Sequence, residues 1–204
     1  MFISFEGIDK SGKTTQAKLL ADFLVDRNCS VVLTKEPGGT ALGEKIKKII
    51  LEDRRVDPLT ELFLYLADRA QHVQEVIKPA LKQGKIVISD RYIDASLAYQ
   101  GYGRGLDIEL IDKLNKKATG GIEPDITFLL DLEPERAFLR TKKVDRIERE
   151  NLSFHKRVRE GYLEIARASP RRMRVVRADM SSVEIHKIIK NVICKDFFPS
   201  LDEF

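Results

Sequence analysis

The N-terminal segment contains the pattern that most restricts the fold of this chain. An apolar run, Phe2–Phe5, leads into a glycine-rich turn of the form G-x-x-x-x-G-K-[ST], and helical spacing follows at once over Lys13–Asp26. A strand, such a turn and a helix in this order form a cradle whose backbone N–H groups close around phosphate oxygens. A chance glycine turn is the alternative, but it does not explain the strand before the turn and the helix after it.

This cradle predicts a site for a nucleoside triphosphate. In such a site Lys13 reaches the β and γ phosphates and Thr14 supplies a hydroxyl to Mg²⁺. The residues expected to contact the nucleotide are consecutive in the sequence: Gly7, Ile8, Asp9, Lys10, Ser11, Gly12, Lys13, Thr14 and Thr15.

The rest of the chain alternates between short apolar runs and stretches with helical spacing. The predicted strands are Phe2–Phe5, Val31–Thr34, Ile86–Ser89, Ile126–Leu132 and Arg174–Val176. The predicted helices are Lys13–Asp26, Leu42–Leu51, Leu59–Gln83, Ile108–Lys117, Glu133–Thr141, Asn151–Ala168 and Val183–Cys194. Strands that alternate with helices predict a mostly parallel sheet with helices on both faces. We expect a three-layer α/β fold in a single domain, 1–204, with loops at Gly101–Gly105 and Gly120–Gly121.

Composition excludes several classes of protein. Charged residues make up 33% of the chain, and the longest stretch without one, Ala95–Gly103, is far shorter than a membrane-spanning helix. The N-terminus lacks the features of a secretory signal, and Cys29 and Cys194 lack the spacing of metal ligands. We therefore expect a cytoplasmic protein without a membrane segment or a disulfide framework.

The charge distribution leaves one alternative open. Lys and Arg number 36 against 32 Asp and Glu, and the positive charge is concentrated in the last third of the chain. A phosphate-binding regulator could use that third to hold nucleic acid, although a solvated helix face explains such a run equally well. Steep salt dependence would distinguish nucleic-acid binding, which we do not expect, from binding of a mononucleotide.

Two further observations narrow the chemistry. The chain has Asn115-Lys-Lys-Ala118 where a guanine-selecting Asn-Lys-x-Asp would need a carboxylate, which argues against a GTPase. The strand Ile86–Ser89 is followed by Asp90, which can hold Mg²⁺ together with Thr14 or can cap a helix. Phosphoryl transfer needs cations from several segments, and the segments around Arg69, Arg91 and Arg140–Arg146 supply candidates.

Taken together, the motifs resemble the thymidylate kinase family of nucleoside monophosphate kinases over nearly the whole chain. The motifs are Gly7–Thr15, Glu36-Pro-Gly-Gly-Thr40, Asp90-Arg-Tyr92, Ala98-Tyr-Gln-Gly101 and Asp145-Arg-Ile-Glu148. The resemblance implies a P-loop NTPase fold with a five-stranded parallel sheet and a short mobile lid at about 140–150. It also implies transfer of the γ-phosphoryl group from ATP to dTMP in dTTP biosynthesis, with Mg²⁺. A homodimer formed through helices beside the acceptor site is implied as well.

The resemblance assigns roles to residues near the phosphates. Asp90 lies near the metal, and Arg91 contacts both the transferred phosphoryl group and the acceptor phosphate; a surface ion pair is the alternative for Arg91. Asp9 binds the 3′-hydroxyl of the acceptor. Glu36 and Pro37 shape the acceptor pocket, whereas Gly38-Gly39 is better explained as a plain turn.

The resemblance also implies how the acceptor nucleoside is bound. Tyr65 stacks on the thymine ring and Arg69, one helical turn later, reaches the edge of the base. Ser96, Tyr99 and Gln100 contact another edge, and Tyr162 lines the deoxyribose. Tyr65 and Tyr162 could instead be core residues, Tyr65 in an apolar stripe with Leu62, Leu66 and Phe63. Selectivity for dTMP over dUMP depends on one methyl group and is left open.

The catalytic cation has two candidate sources. Lys13 and Arg91 are expected at the phosphates, but family members place a further cation either in the cradle or in the lid. This chain has Lys10 in the cradle and Arg140, Lys142, Lys143 and Arg146 in the lid. Because lysine lacks the bidentate fork of arginine, we favour the lid over Lys10.

Overall fold

The structure is a computed structural model that describes residues 1–52, 55–140 and 145–199. Within these ranges the chain forms a parallel sheet of five strands in the order β2-β3-β1-β4-β5. The strands are β1 Phe2–Glu6, β2 Val31–Lys35, β3 Ile86–Asp90, β4 Ile126–Asp131 and β5 Met173–Arg177. Each strand begins and ends within one residue of its prediction. The predicted α/β class is confirmed.

The helices connect the strands and cover both faces of the sheet. Their bounds are α1 Lys13–Val25, α2 Ala41–Glu52, α3 Pro58–His72, α4 Lys78–Lys82, α5 Ile93–Ser96, α6 Ile108–Thr119, α7 Pro134–Arg140, α8 Leu152–Ala168 and α9 Ser182–Phe197. Local sequence explains several starts: Asp57 caps α3 ahead of Pro58, and Ser181 with Glu184 forms a capping box at α9.

The core lies on both sides of the central strands. Strand β1 is buried along its whole length, and β4 is buried except at Asp131. Phe5 and Phe128 stack across these neighbouring strands with ring centroids 5.4 Å apart. Leu20 and Leu24 of α1 pack into the same cluster, so the helix that follows the cradle is anchored directly on the sheet.

The structure corrects two predicted elements. The single helix expected over Leu59–Gln83 is interrupted by a π-helical turn, Val73–Ile77, before α4. Pro79 explains the interruption, because it has no N–H to continue the α-helical ladder. The loop expected at Gly101–Gly105 is in part a second π-helical segment, Leu97–Gly103. Helix α8 packs against this segment, where the ring of Tyr102 lies over Gly161.

Across the ranges that the structure describes, every helix is too short or too polar to cross a membrane.

Candidate active site

The ends of three neighbouring strands open into one cleft. Strand β1 leads to the cradle, β2 leads to Glu36 and Pro37, and β3 leads to Asp90 and Arg91. In a parallel sheet of this kind ligands bind outside the carboxyl ends of the strands. The cleft has a volume of about 720 Å³. Of the residues predicted for a site, those that line it are Asp9, Lys10, Lys13, Thr14, Glu36, Pro37, Tyr65, Asp90, Arg91, Ser96, Tyr99 and Gln100.

The cradle has the geometry that its sequence predicts. Gly7 adopts φ +135°, and an added Cβ would lie 2.5 Å from the carbonyl oxygen of Leu130, so glycine is required here. The Lys13 ammonium folds back onto the Ile8 carbonyl oxygen at 2.8 Å. Burial and the neighbouring charge of Arg91 lower the pKa of Lys13 to about 8. The lysine is therefore held at the phosphate site, where anionic oxygens would stabilise its charge.

Thr14 and Asp90 meet at the mouth of the cradle. The Thr14 hydroxyl donates a hydrogen bond to the Asp90 carboxylate, across a sequence separation of 76 residues. A hydroxyl and a carboxylate oxygen form a hard donor set that suits Mg²⁺, which keeps most of its shell as water and phosphate oxygens. Larger groups of His, Cys, Asp or Glu able to bind a metal are absent from the described part of the chain. Thr14 and Asp90 thus suit a metal ion that binds together with the nucleotide.

Arg91 joins the cradle to the opposite wall of the cleft. Its guanidinium donates to Asp9 at 2.6 Å and to the hydroxyl of Tyr99 at 3.1 Å. It also donates to the Gly7 carbonyl oxygen and to the Tyr162 hydroxyl, each at 3.2 Å. Burial alone would raise the pKa of Asp9, but the charges of Arg91 and Lys13 and the hydrogen bond from Tyr99 outweigh it and lower that pKa to about 2. Asp9 is therefore an ionised acceptor beside Arg91.

Tyr65 faces the cleft from helix α3. Leu62 and Leu66 of the same helix are buried in a separate apolar cluster, and Phe63 is 52% exposed. Tyr65 itself is half-buried and lines the cleft. This placement favours a base-stacking role for Tyr65 over membership of the core stripe.

Arg69 and Tyr162 lie behind the residues that line the cleft, and each is 1% exposed. The Arg69 guanidinium donates to Glu36 at 2.8 Å, to Ser96 at 2.8 Å and to Asn115 at 2.6 Å, and also to the Tyr92 carbonyl oxygen. Arg69 thus ties Glu36, which follows β2, to the Ser96 segment, and its predicted contact with the base edge stays a prediction.

His72 contacts the site although none of the sequence motifs includes it. Its Nδ1 is 2.9 Å from Glu36 and its Nε2 is 2.7 Å from the Thr34 hydroxyl. Glu36 is therefore held from both sides by Arg69 and His72. The sequence signal for this contact was the spacing of three residues between Arg69 and His72, because residues i and i+3 lie on the same face of a helix.

Glu61 is a second residue that sequence reasoning missed. Its carboxylate is fully buried one turn before Tyr65 and accepts hydrogen bonds from Gln100 at 2.7 Å and from Arg146 at 2.6 Å. Arg104 donates to the same carboxylate at 3.1 Å and to Glu150 at 2.5 Å. Gln100 and Arg146 are thus joined through one carboxylate.

The other basic candidates lie around the cradle. The Lys10 ammonium is 3.3 Å from Glu148, and Lys10 has a left-handed backbone with φ +66°. Arg140 donates to the Lys10 carbonyl oxygen at 3.0 Å and to that of Ala178 at 2.7 Å. Lys142 and Lys143 lie outside the described residues. Lys47 also lines the cleft and was not predicted.

Comparison with known proteins places the chain in one family. The sequence profile described as "Thymidylate kinase" matches residues 5–189. A thymidylate kinase from Nostoc sp. is 47% identical over 199 residues, which cover 94% of each chain. One from Pelotomaculum thermopropionicum is 49% identical, over 91% of this chain and 88% of that protein. The crystal structure of thymidylate kinase from Ehrlichia chaffeensis superposes with a TM-score of 0.80 at 41% identity, covering 95% of this chain and 98% of that one.

A nucleotide-binding α/β phosphotransferase is the class that the cradle and the cleft define. The chain belongs to the thymidylate kinase family. It is an ATP-dependent kinase of dTMP, and the predicted family resemblance is confirmed.

Proposed function

We propose that the cleft transfers the γ-phosphoryl group of ATP to dTMP with the donor in the cradle and the acceptor on the Tyr65 side. The observation that carries this assignment is the position of Arg91. Its guanidinium lies between Asp9 of the cradle and Tyr99 of the opposite wall, where the two nucleotides would meet. A planar guanidinium can contact oxygens of two phosphate groups at once.

On the donor side, we assign Gly7 to Thr15 to the ATP phosphates and Lys13 to the β and γ phosphates. Thr14 and Asp90 are the residues that would hold Mg²⁺. When bound, this ion neutralises phosphate charge and aligns the oxygens for in-line transfer. The helix that starts at Lys13 adds its partial positive charge at the same point.

On the acceptor side, we assign Tyr65 to stacking on the thymine ring and Ser96 and Gln100 to the base edge. Both polar side chains line the cleft, and each is fixed from behind, Ser96 by Arg69 and Gln100 by Glu61. Asp9 is assigned to the sugar hydroxyl. Tyr99, predicted at the base edge, is assigned to this hydroxyl with Asp9 instead, because its own hydroxyl donates to the Asp9 carboxylate at 2.9 Å. Glu36 and Pro37 are assigned to the wall of the pocket. We retain Tyr162 as a neighbour of the deoxyribose. Its hydroxyl also accepts a hydrogen bond from the Arg91 guanidinium and so helps to hold that arginine.

The transfer itself needs no general base. The attacking oxygen belongs to a phosphate that is already ionised, so the residues only have to orient the groups and neutralise charge. We propose that Lys13 and Arg91 act on the transferring group, with Lys10, Arg140 and Arg146 as further cations. Lys10 belongs to the cradle itself, whereas the Arg146 guanidinium is hydrogen-bonded to Glu61. Closure of the lid, about 140–150, would exclude water that competes as acceptor.

Several properties of the whole protein belong to the same proposal. We infer a single kinase domain over 1–204, in the cytoplasm, that pairs as a homodimer through helices beside the acceptor site. Leu59 and Phe63 of α3 are 41% and 52% exposed, and Leu110 of the neighbouring α6 is 42% exposed. An apolar face of this kind supports a partner of the same chain.

The test is ADP release with ATP and Mg²⁺ against dTMP, dUMP, dCMP, dGMP, UMP and thymidine. We expect dTMP to be preferred, and activity to be lost in Lys13→Ala and after chelation of the metal. Preference for another acceptor would keep the transfer but reject the Tyr65 pocket. Release of ADP without any acceptor would reject the kinase assignment and favour the nucleic-acid regulator.

A further inference from the structure

A buried carboxyl group lies directly beneath Arg91 and has no task in the transfer described above. Glu6 is the last residue of β1 and is completely buried. One of its oxygens accepts a hydrogen bond of 2.7 Å from the Tyr92 backbone N–H. The other accepts one of 2.8 Å from the Tyr162 hydroxyl. Glu6 therefore contacts the neighbour of Arg91 in the chain and a side chain that contacts the Arg91 guanidinium.

The backbone of Arg91 is in an unfavourable conformation. Its φ of +73° lies in the left-handed region, where the Cβ of a residue with a side chain crowds the following carbonyl oxygen. Three hydrogen bonds hold it there: the Arg91 N–H donates to Phe5, the Ser89 hydroxyl donates to the Arg91 carbonyl oxygen, and the Tyr92 N–H donates to Glu6. All three partners belong to strands β1 and β3. The side chains of Ser89 and Glu6 hold the two sides of the peptide between Arg91 and Tyr92, and Glu6 is the one of them that also contacts Tyr162.

The second oxygen of Glu6 acts on the side chain of Arg91. Because the Tyr162 hydroxyl donates its proton to Glu6, its oxygen is directed to accept from the Arg91 guanidinium at 3.2 Å. The order Glu6, Tyr162, Arg91 fixes the direction of each hydrogen bond. A buried polar group that lost this partner would be costly, so the arrangement is rigid.

We propose that Glu6 is a positioning residue that holds Arg91 in its phosphate-bridging place, through the Tyr92 N–H and the Tyr162 hydroxyl. The proposal rests on the role assigned to Arg91 above. Glu6 acts before any nucleotide binds, because both hydrogen bonds exist within the protein. Arg91 would otherwise relax toward an ordinary backbone conformation and take its guanidinium away from the line between Asp9 and Tyr99.

The sharpest variant is Glu6→Met. Burial, together with the nearby charge of Asp94, raises the pKa of Glu6, so an uncharged side chain is suited to this buried position. Methionine has a similar length and no charge, and it removes both hydrogen bonds at once. We expect kcat to fall about 10- to 100-fold, equivalent to roughly 1.4–2.7 kcal/mol in the barrier, with KM for ATP changed less than about threefold.

The matched control is Ser4→Ala. Ser4 lies on the same strand two residues earlier, is equally buried, and shares a hydrogen bond of 2.7 Å with Thr127 rather than with the Arg91 turn. We expect Ser4→Ala to keep kcat within about twofold while it lowers stability, as the loss of one buried hydrogen bond does. An equal loss of kcat in Ser4→Ala would overturn the proposal.

A double-mutant cycle with Arg91→Lys distinguishes positioning from general damage. If Glu6 acts through Arg91, Glu6→Met should lower kcat by less than about threefold in the Arg91→Lys background. A full further loss there, or an unchanged kcat in Glu6→Met alone, would overturn the proposal. If Arg91→Lys itself leaves kcat unchanged, the role assigned to Arg91 fails first.

If Glu6→Met does not fold, Tyr162→Phe provides a second variant. It removes a single oxygen atom and keeps the hydrogen bond from the Tyr92 N–H to Glu6. We expect a lower kcat with KM for dTMP held within about threefold, since the hydroxyl supports Arg91. A raised KM for dTMP with an unchanged kcat would overturn this arm and favour the sugar contact.

Discussion

The guanidinium of Arg146 donates a hydrogen bond of 2.6 Å to the buried carboxylate of Glu61. This pair joins a residue of the proposed lid to helix α3, which presents Tyr65 one turn later. Arg146 also donates to the Ile50 carbonyl oxygen at 3.0 Å, so the same arginine holds the end of α2. A residue expected to act on phosphate therefore also has a structural task.

Glu61→Gln should destabilise the fold strongly. It removes the buried carboxylate that Arg104 and Arg146 share and leaves Arg104 with Glu150, a change that costs about 3 kcal/mol for a buried pair. Urea unfolding measures the difference. Glu75→Gln, an exposed glutamate that follows the same helix and contacts Gln71, is the control and should change stability by less than about 0.5 kcal/mol. Equal effects of the two variants would contradict the central position of Glu61.

Gly39→Ala should impair binding of the acceptor. An added Cβ would lie 2.5 Å from His72 Cδ2 and 2.8 Å from the Lys35 carbonyl oxygen, so the loop that carries Glu36 must shift. We expect a loss of about 1–3 kcal/mol in stability and a raised KM for dTMP. Gly84→Ala is the control, because open space surrounds that position. It has a positive φ and should cost stability alone, and a raised KM there would count against the explanation.

Asp68→Asn should stabilise the protein, and more at pH 7.5 than at pH 4.5. Burial and the nearby charge of Glu36 raise the pKa of Asp68 to about 6 from 3.8, and its Oδ2 has no hydrogen-bond partner among the described residues. The folded state therefore binds the carboxyl proton of Asp68 more tightly than the unfolded state does. The free energy of unfolding consequently falls as pH rises from about 4 to 6. Asparagine has no such dependence, so we expect a gain of about 1–3 kcal/mol above pH 6.

Thermal unfolding of both proteins across this pH range measures the effect. Glu44→Gln gives a control of opposite sign, because a hydrogen bond from Lys35 lowers the pKa of Glu44. The stability that Glu44 contributes is present above its unfolded pKa of 4.5, so its removal should matter more at higher pH. A pH-independent difference for Asp68→Asn would contradict the prediction.

Phe63→Glu should dissociate the proposed homodimer. Phe63 is apolar and 52% exposed, and a glutamate at this position would bring a charge that has to be buried at the interface. Sedimentation velocity should give the mass of one chain for this variant and of two chains for the original protein. Val183→Glu, on α9 at 75% exposure, should leave the mass unchanged. A monomer before substitution would reject the dimer.

Much of the fold follows from local patterns. Apolar runs predict the strands to within about one residue, because a strand covered on both faces has to be apolar over its whole length. The cradle follows from a contiguous pattern, since eight neighbouring residues perform one task. The π-helical segment Leu97–Gly103 was missed because its glycines read as turn signals, although the segment is held by packing against α8.

The supporting contacts of the site could not be predicted in the same way. Glu6 and Tyr162 are 156 residues apart, and Arg69 and Asn115 are 46 apart. No periodicity links such positions, because they meet only when the strands are assembled in a particular order. The sequence identifies residues that face the ligand through their motifs, whereas the residues behind them carry no motif of their own.

The close approach of Tyr102 to Gly161 limits how this enzyme could be redesigned. An added Cβ at Gly161 would lie 2.5 Å from the Tyr102 ring, and one at Gly103 would lie 2.8 Å from Phe154. The wall that carries Tyr99 and Gln100 is therefore closely packed against α8 and cannot move toward it. A pocket for bulkier nucleotide analogues would have to be opened on the other side, around Lys35, whose side chain is 50% exposed.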